Sequence, residues 1–176
     1  NTPCPEYEAI GVCRAGEWRQ LNANILQIEN EYYSTVRPKQ PPIGNEKVTA
    51  ALARRGVRYI ELRSLDVDPF RPTGVDPVTL RFVETLLIFC ALADSPRIEL
   101  QEQRDVNANL ERVAIAGREP GMLLVRKGAT IGLRDWGLGI LDVLEPVCAV
   151  LDGADPESPY TAALAEQRAP RLAGIE

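Results

Sequence analysis

The fold of this 176-residue chain can be inferred outward from Val57-Arg-Tyr-Ile-Glu-Leu-Arg-Ser-Leu-Asp-Val-Asp68. The polar and apolar residues of this stretch alternate, and successive side chains of a strand point to opposite faces, so the pattern predicts a β-strand. Ile60 and Leu62 would anchor one face in a core, while Glu61 and Arg63 would share the other. Because those two stand about 6.6 Å apart along a strand, we expect them to hold a shared ligand rather than each other.

The carboxylate and guanidinium of this strand suit a divalent metal and an anion held together. A second interpretation is a solvated face of a half-exposed sheet, because open sheet faces commonly carry charged residues. The strand by itself leaves both interpretations open.

A second alternating stretch runs from Ile25 to Arg37 and predicts a neighbouring strand of the same sheet. We expect Pro38, Pro41 and Pro42 to end it, since proline has no N–H for the ladder. The open face of such a sheet would receive a polar ligand with phosphates and metal ions. Its polar residues are Gln27, Glu29, Glu31, Tyr33, Thr35 and Arg37.

Composition indicates a globular domain that binds small molecules. The chain is 45% hydrophobic and 26% charged, with a net charge of -5 and interspersed signs, which argues against a nucleic-acid or membrane-surface partner. No apolar run reaches the ~18 residues of a membrane span. The start at Asn1, without Met or a leader pattern, is expected for a cut chain rather than a signal peptide.

The four cysteines show no metal-ligand spacing, and the chain has no histidine to complete a zinc site or a Cys-His nucleophile. Reduced thiols in the cytoplasm fit this usage best. Cys90 lies in an apolar run and is predicted to be a core residue. A bridge between Cys4 and Cys13 stays open as a minor alternative.

The order of patterns predicts an α+β fold in one domain covering 1–176, with strands mainly in 5–70 and helices mainly in 76–167. We expect an antiparallel sheet with helices on one face. The predicted elements are a hairpin between Tyr7 and Gln20, a helix from Glu46 to Arg55 with Asn45 as N-cap, a most-buried helix after Asp76-Pro77, a surface helix before Gly117, an extended turn over 121–132, and helices over 133–151 and 160–167.

Several segments together resemble the bacterial glutamate–cysteine ligases of the proteobacterial type. They are Leu21–Lys39, Tyr59–Phe70, Val78–Phe82, Cys90–Pro96, Val106–Val113 and Gly117–Gly121, in the family's order. The resemblance runs from about residue 6 to about residue 167 and omits the N-terminal half of the family. It implies a glutamine-synthetase-like ligase fold, whose sheet binds ATP, divalent cations and glutamate on its inner face.

The activity that the resemblance implies is ATP-dependent ligation of the γ-carboxylate of L-glutamate to L-cysteine through a γ-glutamyl phosphate, the first step of glutathione biosynthesis. Mg²⁺ or Mn²⁺ would be the cofactor and ATP a substrate. The missing N-terminal part of the same enzyme would be a further partner. Because one strand carboxylate cannot hold several metal ions, the fragment alone is predicted to be inactive.

The resemblance also implies roles for individual residues, from their positions in the matched motifs. Glu61 would be a metal ligand, and Arg63 would be catalytic and would bind the transferred phosphate or the γ-carboxyl. Tyr33 would contact cysteine, while Arg37 and Lys39 would face the phosphates of ATP. Ser34-Thr35 stands where the family usually has Ala-Pro, which leaves the geometry of that loop open.

Two alternatives to this function remain at the level of sequence. One is a related ATP-dependent carboxylate–amine ligase that uses another amine. The other is a non-catalytic binding module that kept the sheet after losing the chemistry, although the presence of both Glu61 and Arg63 speaks against it.

Overall fold

The structure, a computed structural model, describes residues 2–28 and 33–168. It divides into two compact units, Asn1–Asp66 and Val67–Glu176, and each is described by itself. The coarse α+β class is confirmed, because helices occur together with small antiparallel sheets. Within the described ranges the strands form three two-stranded sheets rather than one larger sheet. The assignment of 1–176 to a single domain stays a prediction.

In the described residues, the first unit contains two strand pairs and two helices, and the second contains four helices and one hairpin. In the first unit these are α1 Pro5–Ile10, β1 Cys13–Arg14, β2 Glu17–Trp18, β3 Val36–Lys39, α2 Val48–Arg55 and β4 Tyr59–Leu62. In the second they are α3 Pro77–Leu92, α4 Leu100–Ala116, β5 Leu123–Arg126, β6 Ala129–Gly132, α5 Leu133–Asp152 and α6 Pro159–Arg168.

The predicted N-terminal hairpin is shorter than expected. Residues 5–10 form α1, because Pro5 suits the first helical position and Glu6 and Glu8 suit the positive end of the helix dipole. The turn itself is confirmed: Ala15 and Gly16 both have positive φ, 51° and 85°, as a two-residue type I′ turn between β1 and β2 requires.

The long strand predicted over Ile25–Arg37 is wrong in its first part. Residues 25–28 bend, and the Gln27 side chain accepts from the Leu21 N–H at 2.7 Å. Asn22 donates to the Gln27 carbonyl at 2.9 Å. Such local side-chain bonds compete with a strand ladder. Residues 29–32, including Glu29 and Glu31, lie outside the described residues, and the strand β3 begins at Val36.

Pro38 lies inside β3 instead of ending it. The Arg63 N–H donates to the Thr35 carbonyl at 2.8 Å, and hydrogen-bonded pairs alternate along an antiparallel ladder. Pro38 therefore stands opposite Ile60 in a non-hydrogen-bonded pair, where its missing N–H removes no ladder bond.

Helix α2 begins two residues later than predicted, with Lys47 rather than Asn45 at its N-cap. Glu46 takes another role: its carboxylate accepts from the Ile43 N–H at 3.0 Å and pairs with Arg54 and Arg55. The predicted stop at Gly56 is confirmed, with a φ of 73° and a hydrogen bond from its N–H to Leu52.

The core of the second unit centres on α5 and not on α3, so the prediction that α3 is the most buried helix is wrong. Its Asp76-Pro77 cap is confirmed, since Asp76 accepts from the Thr79 N–H at 2.7 Å. However, Thr85 is the one buried residue of α3. The apolar residues of this helix lie on most of its sides, but only one side packs against other helices. The core cluster is Leu141, Leu144, Cys148 and Leu164, surrounded by Phe82, Leu86, Phe89 and Tyr160.

Cys90, which was expected in a core, is exposed. Cys90 lies on the solvent side of α3, and the buried thiol is that of Cys148, whose pKa is raised by burial. Trp18 is 78% exposed in the short strand β2. All four cysteines are free, which leaves no bridge between Cys4 and Cys13.

The stretch predicted as an extended turn contains a second hairpin, β5–β6. Lys127 and Gly128, with φ of 50° and 76°, form its turn. The buried side chain of Asn109 fixes the hairpin to α4: its amide donates to the Val125 carbonyl at 2.7 Å and its carbonyl accepts from the Val125 N–H at 3.0 Å. A polar residue thereby anchors α4 to the hairpin.

Asp152 joins α5 to α6. Its carboxylate accepts from the N–H of Tyr160 at 2.7 Å, the N–H of Thr161 at 2.9 Å and the Thr161 hydroxyl at 2.6 Å. Burial by itself would raise the pKa of Asp152, but these hydrogen bonds outweigh it and lower the pKa below 3.8. The charged form is therefore the one that stabilises the folded unit.

We expect Asp152→Asn to be less stable than wild type at neutral pH. Because the folded-state pKa is depressed, the advantage of wild type is complete above the unfolded-state pKa and is lost as pH falls through the folded-state value. Urea unfolding of both proteins between about pH 7 and pH 3 measures the difference. A difference in free energy of unfolding that stays constant over this range would contradict the role given to the charge.

Candidate functional site

The site is the polar face of the β3–β4 pair. The register places Arg37 opposite Glu61 and Lys39 opposite Tyr59, and residues directly opposite in an antiparallel pair share a face. Arg63 follows Glu61 by two residues and lies on that face too. The predicted pairing of the two polar strands is confirmed only at the end of the first, where Val36 and Arg37 pair with Leu62 and Glu61.

Glu61 lies between two cations. Its Oε1 accepts from Arg63 Nε at 2.9 Å, and its Oε2 is 2.8 Å from Lys39 Nζ. The expectation that Glu61 and Arg63 do not engage each other is therefore wrong. Both side chains are long enough to meet across the two-residue spacing of the strand.

The two oxygens of Glu61 differ in their surroundings. Oε2 is shielded from solvent and pairs with the Lys39 ammonium, 2.8 Å away. The Glu61 side chain as a whole is 30% exposed. The pKa of Glu61 is lowered, most by Lys39 and next by Arg63, so this carboxylate stays charged at neutral pH.

Tyr33 lies beside Arg63. The guanidinium carbon is 5.5 Å from the centre of the tyrosine ring, within cation–π range. The pKa of Arg63 is raised, most by Glu61 and next by Tyr33. The phenol ring is 69% exposed, so it remains accessible to a ligand.

The structure thus connects four of the five residues predicted for the site: Tyr33, Lys39, Glu61 and Arg63. Arg37 shares their face but forms no ion pair with a carboxylate in the described part of the chain. The Lys39–Glu61 contact was missed from the sequence. It depends on the register of β3 against β4, which no short motif specifies.

The ligands that these residues offer show how far the face could bind a divalent metal. Over residues 2–28 and 33–168, no three acidic or thiol side chains converge on one point. Glu61 is a single carboxylate, but its Oε2 is shielded from solvent and is an oxygen suited to Mg²⁺, which commonly takes one or two carboxylates together with substrate phosphates. Glu61 fits one ligand position and not a complete metal site.

Cavities elsewhere carry less chemistry. A cavity of about 600 Å³ between α5 and α6 is mostly apolar, and its charged groups, Glu145 and Arg168, pair with each other at 2.8 Å. Cys148 lines it with a thiol kept protonated by burial. We therefore place the candidate site on the β3–β4 face.

Comparison with known proteins decides the family. The sequence model of the glutamate-cysteine ligase family matches residues 1–113, which include all of the β3–β4 face. The chain belongs to the glutamate–cysteine ligase family. The resemblance inferred from the ordered motifs is thereby confirmed.

Named glutamate–cysteine ligases match nearly all of this ligase-family chain. That of Janthinobacterium sp. (strain Marseille) is 48% identical over 164 residues, 93% of this chain and 31% of the relative. That of Pseudomonas paraeruginosa is 46% identical over 169 residues, 96% of this chain and 32% of the relative. The chain therefore spans about a third of the length of these relatives.

A solved structure agrees with the family. The crystal structure of the glutamate–cysteine ligase of Francisella tularensis in complex with AMP has a TM-score of 0.72 and 37% sequence identity. The match covers 95% of this ligase-family chain and 33% of the other. In the described residues no helix is both long and apolar enough to cross a membrane.

Proposed function

We propose that this chain is part of a glutamate–cysteine ligase that joins the γ-carboxylate of L-glutamate to the amine of L-cysteine with consumption of ATP. The observation that carries the proposal is the β3–β4 face, which groups Glu61, Arg63, Lys39 and Tyr33 within a matched family region. The AMP held by the Francisella enzyme supports a nucleotide substrate. A glutamine-synthetase-like fold and a cytoplasmic location are parts of the same proposal.

The reaction needs positive charge near the transferred phosphate. ATP would phosphorylate the γ-carboxylate of glutamate, and the amine of cysteine would displace phosphate from the γ-glutamyl phosphate. Arg63, a permanently charged fork, would hold the transferring phosphoryl group or the γ-carboxyl. Arg37 and Lys39 would bind the phosphates of ATP, and Tyr33, exposed beside Arg63, would contact cysteine.

Glu61 would be one ligand of Mg²⁺ or Mn²⁺. When bound, such a metal neutralises phosphate charge during phosphoryl transfer. Glu61 offers its shielded Oε2 for this role, and Arg63 on Oε1 keeps the carboxylate oriented. The other metal ligands would come from the N-terminal part of the enzyme, which this chain does not contain.

The 176-residue chain alone is expected to form no γ-glutamylcysteine, because the described residues provide one site carboxylate and no acidic cluster for several metal ions. The test is production of ADP and dipeptide by the purified chain and by the complete ligase that contains it, at equal concentrations with ATP, glutamate, cysteine and Mg²⁺. Activity only in the complete enzyme is the expected result. Glutamate-dependent dipeptide formation by the chain alone would contradict it, and a complete protein without activity would overturn the proposed function.

A further inference from the structure

Lys39 occupies the oxygen of Glu61 that a metal ion would need. Its Nζ lies 2.8 Å from Oε2, which is shielded from solvent, whereas Arg63 donates to the opposite oxygen at 2.9 Å. A metal at Oε2 and the ammonium at its present position would be two cations within a few ångströms. Their repulsion is strong at that distance, so both cannot keep the same oxygen.

The charge balance of the described face points to a second anion. Three cations, Arg37, Lys39 and Arg63, share this face with a single described carboxylate, Glu61. When a metal takes Glu61, Lys39 needs another negative partner. Lysine is suited to such a change, because its ammonium is a compact charge on a flexible four-carbon stem, whereas the planar fork of Arg63 is held by two contacts.

We propose that Lys39 is a displaceable counter-ion of Glu61. It holds Oε2 while metal and nucleotide are absent, and it moves to the nucleotide phosphates when a divalent metal takes that oxygen. This inference rests on the proposed function, which supplies both the metal and the phosphates. Lys39 is then a positioning residue that keeps Glu61 ready and couples metal binding to nucleotide binding.

Removal of the Lys39 charge should have opposite effects on the binding of Mn²⁺ and on the binding of ATP. In Lys39→Met, nucleotide-free Mn²⁺ should bind more tightly by on the order of tenfold, because a competing cation has gone. The same variant should bind ATP without metal more weakly, since the phosphates lose a partner. A residue that only maintained the strand would not produce changes of opposite sign.

The experiment uses the complete ligase and measures free Mn²⁺ by electron paramagnetic resonance, without nucleotide. Lys39→Met is compared with Lys39→Arg, which keeps the charge, and with Arg58→Met. Arg58 immediately precedes β4 and by strand alternation lies on the face opposite Glu61. Both controls should bind Mn²⁺ as wild type does. Lys39→Gln, also uncharged, gives the same test if Lys39→Met does not fold.

The Glu61→Gln variant distinguishes a failure of this inference from a failure of the metal assignment in the proposed function. If it weakens Mn²⁺ binding while neither uncharged Lys39 variant tightens it, the displaceable counter-ion is overturned and the metal role of Glu61 stands. If Glu61→Gln binds Mn²⁺ as wild type does, Glu61 is not a ligand, and both this inference and the metal assignment in the proposed function fail. Tighter Mn²⁺ binding together with weaker metal-free ATP binding in Lys39→Met supports the inference.

Discussion

Glu61→Gln is expected to reduce turnover of the complete ligase by on the order of a hundredfold or more at low Mg²⁺, and added Mg²⁺ should partly restore it. The change keeps the size of the side chain and removes the charge that a divalent ion requires. Residues that merely orient a metal ligand are commonly worth about 10- to 100-fold, so loss of a ligand should cost at least as much. The measurement is a Mg²⁺ titration of turnover for variant and wild type.

Arg63→Lys is the control for that titration, because it keeps the charge and loses the fork. Turnover should fall by on the order of a hundredfold, with a smaller effect on ATP affinity and no rescue by Mg²⁺. Lysine also cannot reproduce the Nε contact to Glu61 at 2.9 Å together with the position over the Tyr33 ring. Equal Mg²⁺ dependence in wild type and both variants would remove Glu61 from the metal site. Near-normal turnover in both variants would mean that the β3–β4 face is only a solvated sheet surface without a catalytic role.

Leu144→Ala is expected to destabilise the second unit by about 2–5 kcal/mol. Leu144 is fully buried in the cluster formed by α5, α6 and α3. Its replacement by alanine removes three side-chain carbons and leaves a cavity that the surrounding helices can close only in part. Urea unfolding followed by circular dichroism measures the change. It should appear as a lower midpoint at an unchanged slope.

Leu92→Ala is the matched control for this substitution. It makes the same chemical change at a helical leucine that is 79% exposed, so its effect should stay within about 0.5 kcal/mol. Similar losses in the two variants would mean that the α5-centred cluster is not the main core of the second unit.

Local signals in the sequence predicted some parts of the fold well. The Asp76-Pro77 cap and the Gly16 turn depend on residues within a few positions of each other, and the structure has both. The polar face of Glu61 and Arg63 follows from simple alternation along one strand. Such features need no knowledge of what packs against them.

Features that depend on distant partners were missed. Cys90 lies in an apolar run, yet Cys148 is the buried thiol, because the packing of α3 on α5 and α6 selects which face is covered. The ion pair between Lys39 and Glu61 depends on the register of two strands separated by α2 and its loops. Asn109 joins α4 to β5 through two hydrogen bonds to Val125, which a hydrophobic pattern does not reveal.

The position of the metal in the complete ligase tests whether the β4 strand carries the site. Crystals grown with Mn²⁺ and a non-hydrolysable ATP analogue would locate the ion by its anomalous scattering. We expect an ion about 2.0–2.3 Å from a carboxylate oxygen of Glu61 and bound also to the nucleotide phosphates, with Arg63 facing the terminal phosphate. A nucleotide and metal bound with no ion within reach of Glu61 would contradict the claim that this strand carries the site.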